Sequence, residues 1–397
     1  MSIILHILIP FVVSLIAAIW IYPKVLRIAL LKDVVDNPNA RKLQRVPVPV
    51  LGGVAVMFGI LVALSVCRLF YDCSGLFTIM LAMSVLLYVG TIDDITELSP
   101  NMRFLIETFL VVMLIYTCDY SINDFHGLWG IGSISPWIGV PLTIVSVVGI
   151  INAINLIDGV DGYSSGYSVI SCLLFGLMFH ALGNVQMVVL AAVVAASLLP
   201  FFLHNVFGKH SKMFIGDAGT LSLGIIFSVF VTTLLSTPSG DVIALESTLG
   251  LVPFTLAVLC VPIFDTLRVM SSRMIRGKSP FNPDKTHLHH LYIELGYSHI
   301  GTTLSIITTN LLVVLCWYIA YRCGASIDLQ LYLVVLLGLL VTFGFYAIMK
   351  RQIKTQGPLY RLYSRIGATT HVKRKGFWQL LQRWADKSTS EDSSTEH

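Results

Sequence analysis

The chain has 397 residues, 55% of them apolar and only 12% charged, with a formal net charge of +4. Soluble domains carry about 25% charged residues, so this composition excludes a soluble domain, a disordered chain and a small disulfide-stapled module. Seven cysteines are scattered without a CxxC pair, which signals neither a zinc site nor a disulfide framework.

A helix needs roughly 20 apolar residues to cross the hydrocarbon core. Helices are the expected spanning element because lipid offers no partner to an unpaired amide. In chain order such runs cover residues 3–23, 51–69, 74–92, 101–117, 138–156, 163–182, 185–204, 219–236, 250–270, 301–321 and 329–349. The expected fold is an all-α polytopic integral membrane protein with about 11 transmembrane helices. The first run has no basic residue before it and no clear small-residue cleavage site, so it reads as a span and not as a signal peptide. With the N-terminus outside, 24 of the 26 Lys and Arg fall on the inner side and only Arg68 and Arg322 outside, in keeping with the positive-inside rule. The C-terminus is then cytoplasmic. The outer loops 118–137 and 237–249 hold Asp119, Asp124, Asp241 and Glu246 and no basic residue, so chemistry is expected on the cytoplasmic face.

Acidic residues number 22, and their placement is informative. The inner ends of the spans carry Asp93 and Asp94 (GTIDDITEL), Asp158 and Asp161 (NAINLIDGVDG), Asp217 (MFIGDAG) and Asp265 (PIFDTLR). The 268–300 segment adds Asp284 and the cluster His287, His289 and His290 (DKTHLHH). Ionisable groups close to hydrocarbon are costly and mark function by default. One such Asp would more simply be a helix terminus; five acidic motifs and three His on one face are harder to dismiss. Carboxylates without soft ligands suit Mg²⁺, with Mn²⁺ a substitute, and neighbouring basic groups would neutralise phosphates. The set points to metal-assisted handling of a phosphorylated or nucleotide substrate at the membrane surface.

The adjacent carboxylates of Asp93 and Asp94 repel, so each requires a cation, a basic partner or a raised pKa. Asn152, Asn155, Asp158 and Asp161 recur every three residues, a spacing that would put them on one helical face, with the following glycines allowing a turn. Gly216-Asp217-Ala218-Gly219 precedes a span, where a helix N-terminus attracts phosphate, although Asp is also a common N-cap. The histidine cluster, with Arg276, Lys278 and Lys285 nearby, reads as a phosphate-contacting element more than a transition-metal site. In the Pro/Gly-shaped segment 36–53, Arg41 is a candidate substrate ligand, while Lys42 and Arg45 are explained as positive-inside anchors. Glu107, four residues from Arg103, reads as half of an intrahelical pair.

Taken together, DxPxxRK…PxPxxGG, the pair at 93–94, NxxNxxDGxDG, FxGDxG and SPFxxDxxHLHH resemble the polyprenyl-phosphate N-acetylhexosamine-1-phosphate transferase family, its WecA/TagO branch above all and MraY more distantly. The resemblance runs over roughly residues 1–350, with the motifs in order. It implies that undecaprenyl phosphate attacks the β-phosphorus of a UDP-N-acetylhexosamine in the presence of Mg²⁺. UMP is released and a lipid-linked cell-surface glycan is begun. It further implies Asp217 as a metal ligand, with Asn155 and Asp158 on the nucleotide and metal side. Asp93 and Asp94 would be the catalytic pair, with Asp158 and Asp161 as further catalytic residues. His287, His289 and His290, with Arg276, would contact the diphosphate and donor; Asn152 and Lys212 would be substrate ligands. The HLHH loop is nearer the WecA/TagO branch than the three consecutive His of the UDP-MurNAc-pentapeptide enzymes. UDP-GlcNAc is the first expectation for the donor. Tyr163 and Asn282-Pro283 depart from the family's usual filling, which keeps UDP-GalNAc, FucNAc and QuiNAc donors as alternatives. The implied setting is a bacterial inner (cytoplasmic) membrane, multi-pass, with membrane lipids as partners, no nucleic acid, and a homodimer compatible with it.

Residues 351–387 read as a basic cytoplasmic tail in which Phe377, Leu380, Leu381 and Trp384 form an interfacial-helix pattern, and 388–397 read as disordered. A cation-coupled transporter is the rival class, but it would place its carboxylates near the bilayer midplane.

Overall fold

The computed structural model describes residues 3–37, 44, 46–67, 74–96, 98–238, 248–280, 285–371 and 375–390. The expected roles of Arg41, and the placement of Arg68, Asp241, Glu246, Asp284 and 391–397, lie outside the described residues. The helices are α1 (Ile3–Leu31), α2 (Gly52–Cys67), α3 (Ser74–Thr96), α4 (Pro100–Cys118), α5 (Pro136–Leu156), α6 (Tyr163–Ala181), α7 (Val185–Phe207) and α8 (Gly216–Ser236). They continue with α9 (Leu251–Val258), α10 (Cys260–Ile275), α11 (Leu288–Glu294), α12 (His299–Arg322) and α13 (Ile327–Leu339), which runs through a π-helical turn (Leu340–Gly344) into α14 (Phe345–Thr355). Two further helices, α15 (Pro358–Thr369) and α16 (Phe377–Ser390), close the chain. Two small antiparallel pairs complete it: β1 (Val35–Asp36) with β2 (Val48–Pro49), and β3 (Asp124–Leu128) with β4 (Ile131–Ser133).

Within the described residues each of the eleven apolar runs falls on helix, the 250–270 run on two, and the chain is a polytopic helical membrane protein. Among the described residues nine helices are long and apolar enough to span. The α9–α10 pair forms a tenth candidate bent by 73°. At 16 residues, α2 is about 24 Å long, shorter than the others. The bend has a local cause. Pro262 has no N–H to donate to the carbonyl of Val258. Asn310 of α12 substitutes: its Nδ2 donates to Val258 O at 3.0 Å and its Oδ1 accepts from Val261 N at 2.9 Å.

The chain divides into two compact units. The first comprises Met1–Cys118, Ser164–Phe227 and Lys373–His397. In it Ser14 donates to Val193 O at 2.8 Å and Ser197 to Val56 O at 2.6 Å, tying α1, α2 and α7 together. Such hydroxyls satisfy themselves on backbone where no water is available. The 49–53 segment, which holds the second half of the Pro/Gly motif, pairs with 214–215: Phe214 N donates to Pro49 O at 2.7 Å, and Gly52 and Gly53 donate to Phe214 O and Ile215 O at 2.9 and 2.7 Å. This contact explains Gly53, where a Cβ would lie 2.2 Å from Gly219 N. In the same way α3 meets the start of α8 at Gly90, where a Cβ would lie 2.5 Å from Ala218 Cα.

The second unit comprises Asp119–Tyr163 and Ser228–Val372. Gln330 anchors the start of α13, donating to Thr248 O and Ala325 O at 2.8 and 2.9 Å and accepting from Trp317 Nε1 at 3.1 Å. Ser298 bonds Thr370 twice, fixing the end of α15 to the start of α12. The expected single tail is therefore divided between units: α14 carries the last span to Thr355, α15 packs in the second unit and α16 in the first. Helix α16 continues to Ser390, three residues into the segment expected to be disordered.

Candidate active site

In the first unit the two adjacent carboxylates have separate partners. Asp93 accepts from Leu98 N at 2.6 Å and from an Arg103 Nη at 3.2 Å. Asp94 accepts from Asp217 N at 2.9 Å and Ala218 N at 3.2 Å. These N–H groups belong to the first turn of α8, which has no intrahelical acceptor for them. Asp94 thus caps, from a distant helix, the element that carries Asp217. Gly216, in the left-handed region at φ 68°, lets the chain enter α8 past this carboxylate; a Cβ there would lie 2.5 Å from Asp94 Oδ2. The Asp217 side chain is 36% exposed and 3.8 Å from Arg103.

Arg103 is the hub of this group. Its Nε also lies 3.5 Å from Glu107, which is buried at 1% exposure. The intrahelical pair read from the sequence is present, but it is part of a larger arrangement in which one guanidinium serves three carboxylates. Sequence reasoning gave Arg103 no site role. The available signal was an opposite charge just across the short turn between α3 and α4. Lys212 lies with its ammonium 5.5 Å from the Phe214 ring centroid. The loop around it is held from three sides: Tyr22 donates to Ser211 O at 2.8 Å, Asn205 to Met213 O at 2.8 Å, and Asp386 of α16 accepts from Lys209, His210 and Ser211 N–H at 3.0, 2.9 and 3.1 Å.

In the second unit α5 ends at Leu156, and 157–162 form turns. This corrects the expected polar helical face. Asn152 and Asn155 are on the helix, with Asn152 donating to Val148 O at 2.9 Å, but Asp158 and Asp161 lie beyond it. The helix is already closed at Ile157, and Gly162, at φ 75°, turns the chain just before α6. Asp158 is exposed. Asp161 pairs with His299 at 2.9 Å, and its carbonyl accepts from Thr303 at 2.9 Å, so α12 fixes the turn. His299 was missed because only the fold brings it near.

The turn also rests on the histidine cluster. A Cβ on Gly159 would lie 2.1 Å from His289 Nε2, and Tyr163 meets the His289 ring edge-on at 6.5 Å. The His287 and His289 rings are parallel at 5.8 Å, and those of His289 and His290 are 4.3 Å apart. Burial first, and then the neighbouring His290 and His287, hold the His289 imidazole well below its ordinary range, so at neutral pH it is uncharged. His287 is bound at Nδ1 by Asp265 at 2.9 Å. Arg276, exposed at the end of α10, folds back on Ser272 O and Oγ at 2.9 and 2.8 Å.

No group of three or more His, Cys, Asp or Glu side chains with metal-holding geometry occurs among the described residues. The donors near α8 are nevertheless of the kind that suits Mg²⁺. They are hard carboxylate oxygens with no thiolate, and Asp217 is partly open. Mg²⁺ needs only one or two protein carboxylates and completes its shell with water and phosphate.

The model of the glycosyl transferase family 4 matches residues 76–235, a stretch containing Asp93, Asp94, Asn152, Asn155, Asp158, Asp161, Lys212 and Asp217. The chain is 31% identical over 306 residues to the probable undecaprenyl-phosphate N-acetylglucosaminyl 1-phosphate transferase of Bacillus subtilis (strain 168), covering 76% of this chain and 81% of that protein. It is 27% identical over 285 residues to the undecaprenyl-phosphate alpha-N-acetylglucosaminyl 1-phosphate transferase of Salmonella typhi. Against the enzyme of that name from Escherichia coli (strain K12) it is 28% identical over 278 residues. Both matches cover 68% of this chain and 72% of the relative. With its motifs in register and the Asp94–α8 junction built from them, this chain belongs to the polyprenyl-phosphate N-acetylhexosamine-1-phosphate transferases of glycosyl transferase family 4.

Proposed function

We propose that the chain transfers N-acetylglucosamine 1-phosphate from UDP-GlcNAc to undecaprenyl phosphate, releasing UMP and beginning a lipid-linked glycan. The observation that carries this reading is the relation to the Bacillus subtilis transferase across four-fifths of its length, with the acidic motifs intact. In the transfer an oxygen of the lipid phosphate bonds to the β-phosphorus. The bond from that phosphorus to the bridging oxygen breaks, and UMP carries the electron pair away. One phosphoanhydride replaces another, so no ATP is required and the step is reversible.

Asp217 would be a ligand of Mg²⁺ (or Mn²⁺), which when bound neutralises phosphate charge; Asn155 and Asp158 are metal-side candidates on their motif alone. Asp94 fixes the start of α8. Asp93, held by Arg103, orients the lipid phosphate and accepts its proton where one is present. Lys212 and Arg276 meet phosphate charge; Asn152, Asp161 and the three histidines serve the donor. Arg41 remains a candidate donor or lipid ligand on its motif alone. We further propose eleven spans with the N-terminus outside and the C-terminus in the cytoplasm, in the inner membrane of a bacterium. Lipids surround the chain there, and a homodimer is compatible with it.

The direct test uses membrane vesicles from cells expressing the chain, with radiolabelled UDP-GlcNAc. UMP release and label transfer to lipid should require both undecaprenyl phosphate and Mg²⁺. Transfer from UDP-GalNAc but not UDP-GlcNAc would reassign the donor. UMP release that ignored the lipid would overturn the reading.

A further inference from the structure

Asp265 and Arg268, which bury the inner side of His287, have no part in the roles above. Asp265, Arg268 and His287 are each at most 7% exposed. One Asp265 oxygen accepts from Arg268 Nη2 at 2.7 Å and Nε at 3.2 Å. The other faces His287 Nδ1 at 2.9 Å and accepts from Leu288 N at 3.2 Å. Arg268 is itself immobilised: Nη2 donates to Thr286 O at 2.5 Å, and the guanidinium lies 3.8 Å from the centroid of the Tyr346 ring. All of these residues belong to the second unit.

The chemistry dictates the tautomer. A carboxylate already holding a guanidinium only accepts hydrogen bonds, so the imidazole must carry its proton on Nδ1. The far nitrogen, His287 Nε2, is buried and has no hydrogen-bond partner among the described residues. A buried polar atom left unmet is unfavourable, and in a native structure it calls for an explanation such as a catalytic role, a water or an ion.

We propose that Asp265 is a positioning residue for the transfer: braced by Arg268, it holds His287 as the Nδ1–H tautomer and presents Nε2 to the sugar-nucleotide donor. Nε2 then accepts from a hydroxyl or amide N–H of the donor's N-acetylated sugar. This rests on the transferase reading for the identity of the donor, but the tautomer does not. At metal-ligating histidines, removing a carboxylate that orients the ring in this way changes affinity or activity by roughly ten- to a hundredfold, and a loss of that order is expected here.

Two measurements test it. The first uses the purified full chain with ¹⁵N-labelled histidine. The resonances absent from His287→Ala identify this ring, and they should report Nδ1–H in the parent and a changed tautomer mixture in Asp265→Asn. An Nε2–H ring in the parent overturns the proposal whether or not the chain is active. The second is a double-mutant cycle on kcat/KM for UDP-GlcNAc. Asp265→Asn should lose at least about tenfold, Asp265→Glu should recover part of it, and Asp265→Asn combined with His287→Ala should be no worse than His287→Ala alone. Multiplicative losses would mean that Asp265 acts apart from His287 and would overturn the proposal. Absence of turnover in the parent with UDP-GlcNAc would defeat the donor assignment and leave the tautomer measurement to decide the Asp265–His287 claim.

Discussion

Two neighbouring aspartates perform different physical tasks. Asp93 meets a guanidinium; Asp94 meets two amides at the start of α8. Asparagine at 94 has one acceptor oxygen for two N–H groups, and the unmet one costs about 1–3 kcal/mol. Asp94→Asn should therefore lower the Tm of the detergent-solubilised protein as well as its turnover; an unchanged Tm would remove the capping role. Asp217 is partly open to solvent and is read as a ligand. Asp217→Asn should leave Tm close to that of the parent while abolishing Mg²⁺-dependent transfer, and near-normal transfer would exclude it as a ligand. The two variants thus separate architecture from chemistry along one helix.

Among the elements, α16 shows how an amphipathic tail can act on a distant loop. Trp378 meets Phe207 edge-on at 4.6 Å and Trp384 lies 5.3 Å from His204, so one face is docked on α7, while Phe377 and Leu380 point outward at 73% and 64% exposure. The outward face suits the membrane interface. Burial alone would raise the Asp386 carboxyl, but the N–H groups of His210, Ser211 and Lys209 and the Ser211 hydroxyl outweigh it and hold the group below its ordinary value. A depressed folded pKa means that this contact is at full strength above the unfolded value of about 3.9 and is lost as pH falls through the folded one. Hydrogen exchange of the 208–213 peptide, expressed as protection relative to the intrinsic amide rate at each pH, should be strongly retarded near neutral pH, less so in Asp386→Ala, and less so in the parent on acidification through the carboxylate range. Equal exchange in parent and variant at neutral pH would show that the loop does not depend on α16.

For the molecule as a whole, solvent choice governs the surface. Helix α8 is buried along its spanning window, whereas only 22% of the corresponding window of α1 is buried. Large apolar side chains such as Ile16, Leu177 and Trp137, at 60%, 68% and 90% exposure, would be liabilities in water and are ordinary against lipid. The β3–β4 hairpin carries no Lys or Arg, while the 208–213 loop carries two. In a cysteine-free background, a cysteine at Gly130 should react with an impermeant maleimide in intact cells and one at His210 only after permeabilisation. The reverse pattern would invert the proposed orientation.

The sequence by itself determined the class of fold, the helical position of all eleven apolar runs and the identity of the acidic motifs. These are local properties: hydropathy sums over about 20 residues, and a scarce charge in such a chain is conspicuous wherever it stands. It misjudged the 152–161 stretch because a three-residue spacing cannot reveal that the helix ends at Leu156. The partner of each charge was decided only by tertiary structure. Asp94 finds its amides 123 and 124 residues away, Asp161 finds His299 across 138 positions, and Asp386 reaches back 175 to 177. A buried charge takes whichever donor the packing brings within about 3 Å, and no local pattern encodes that choice.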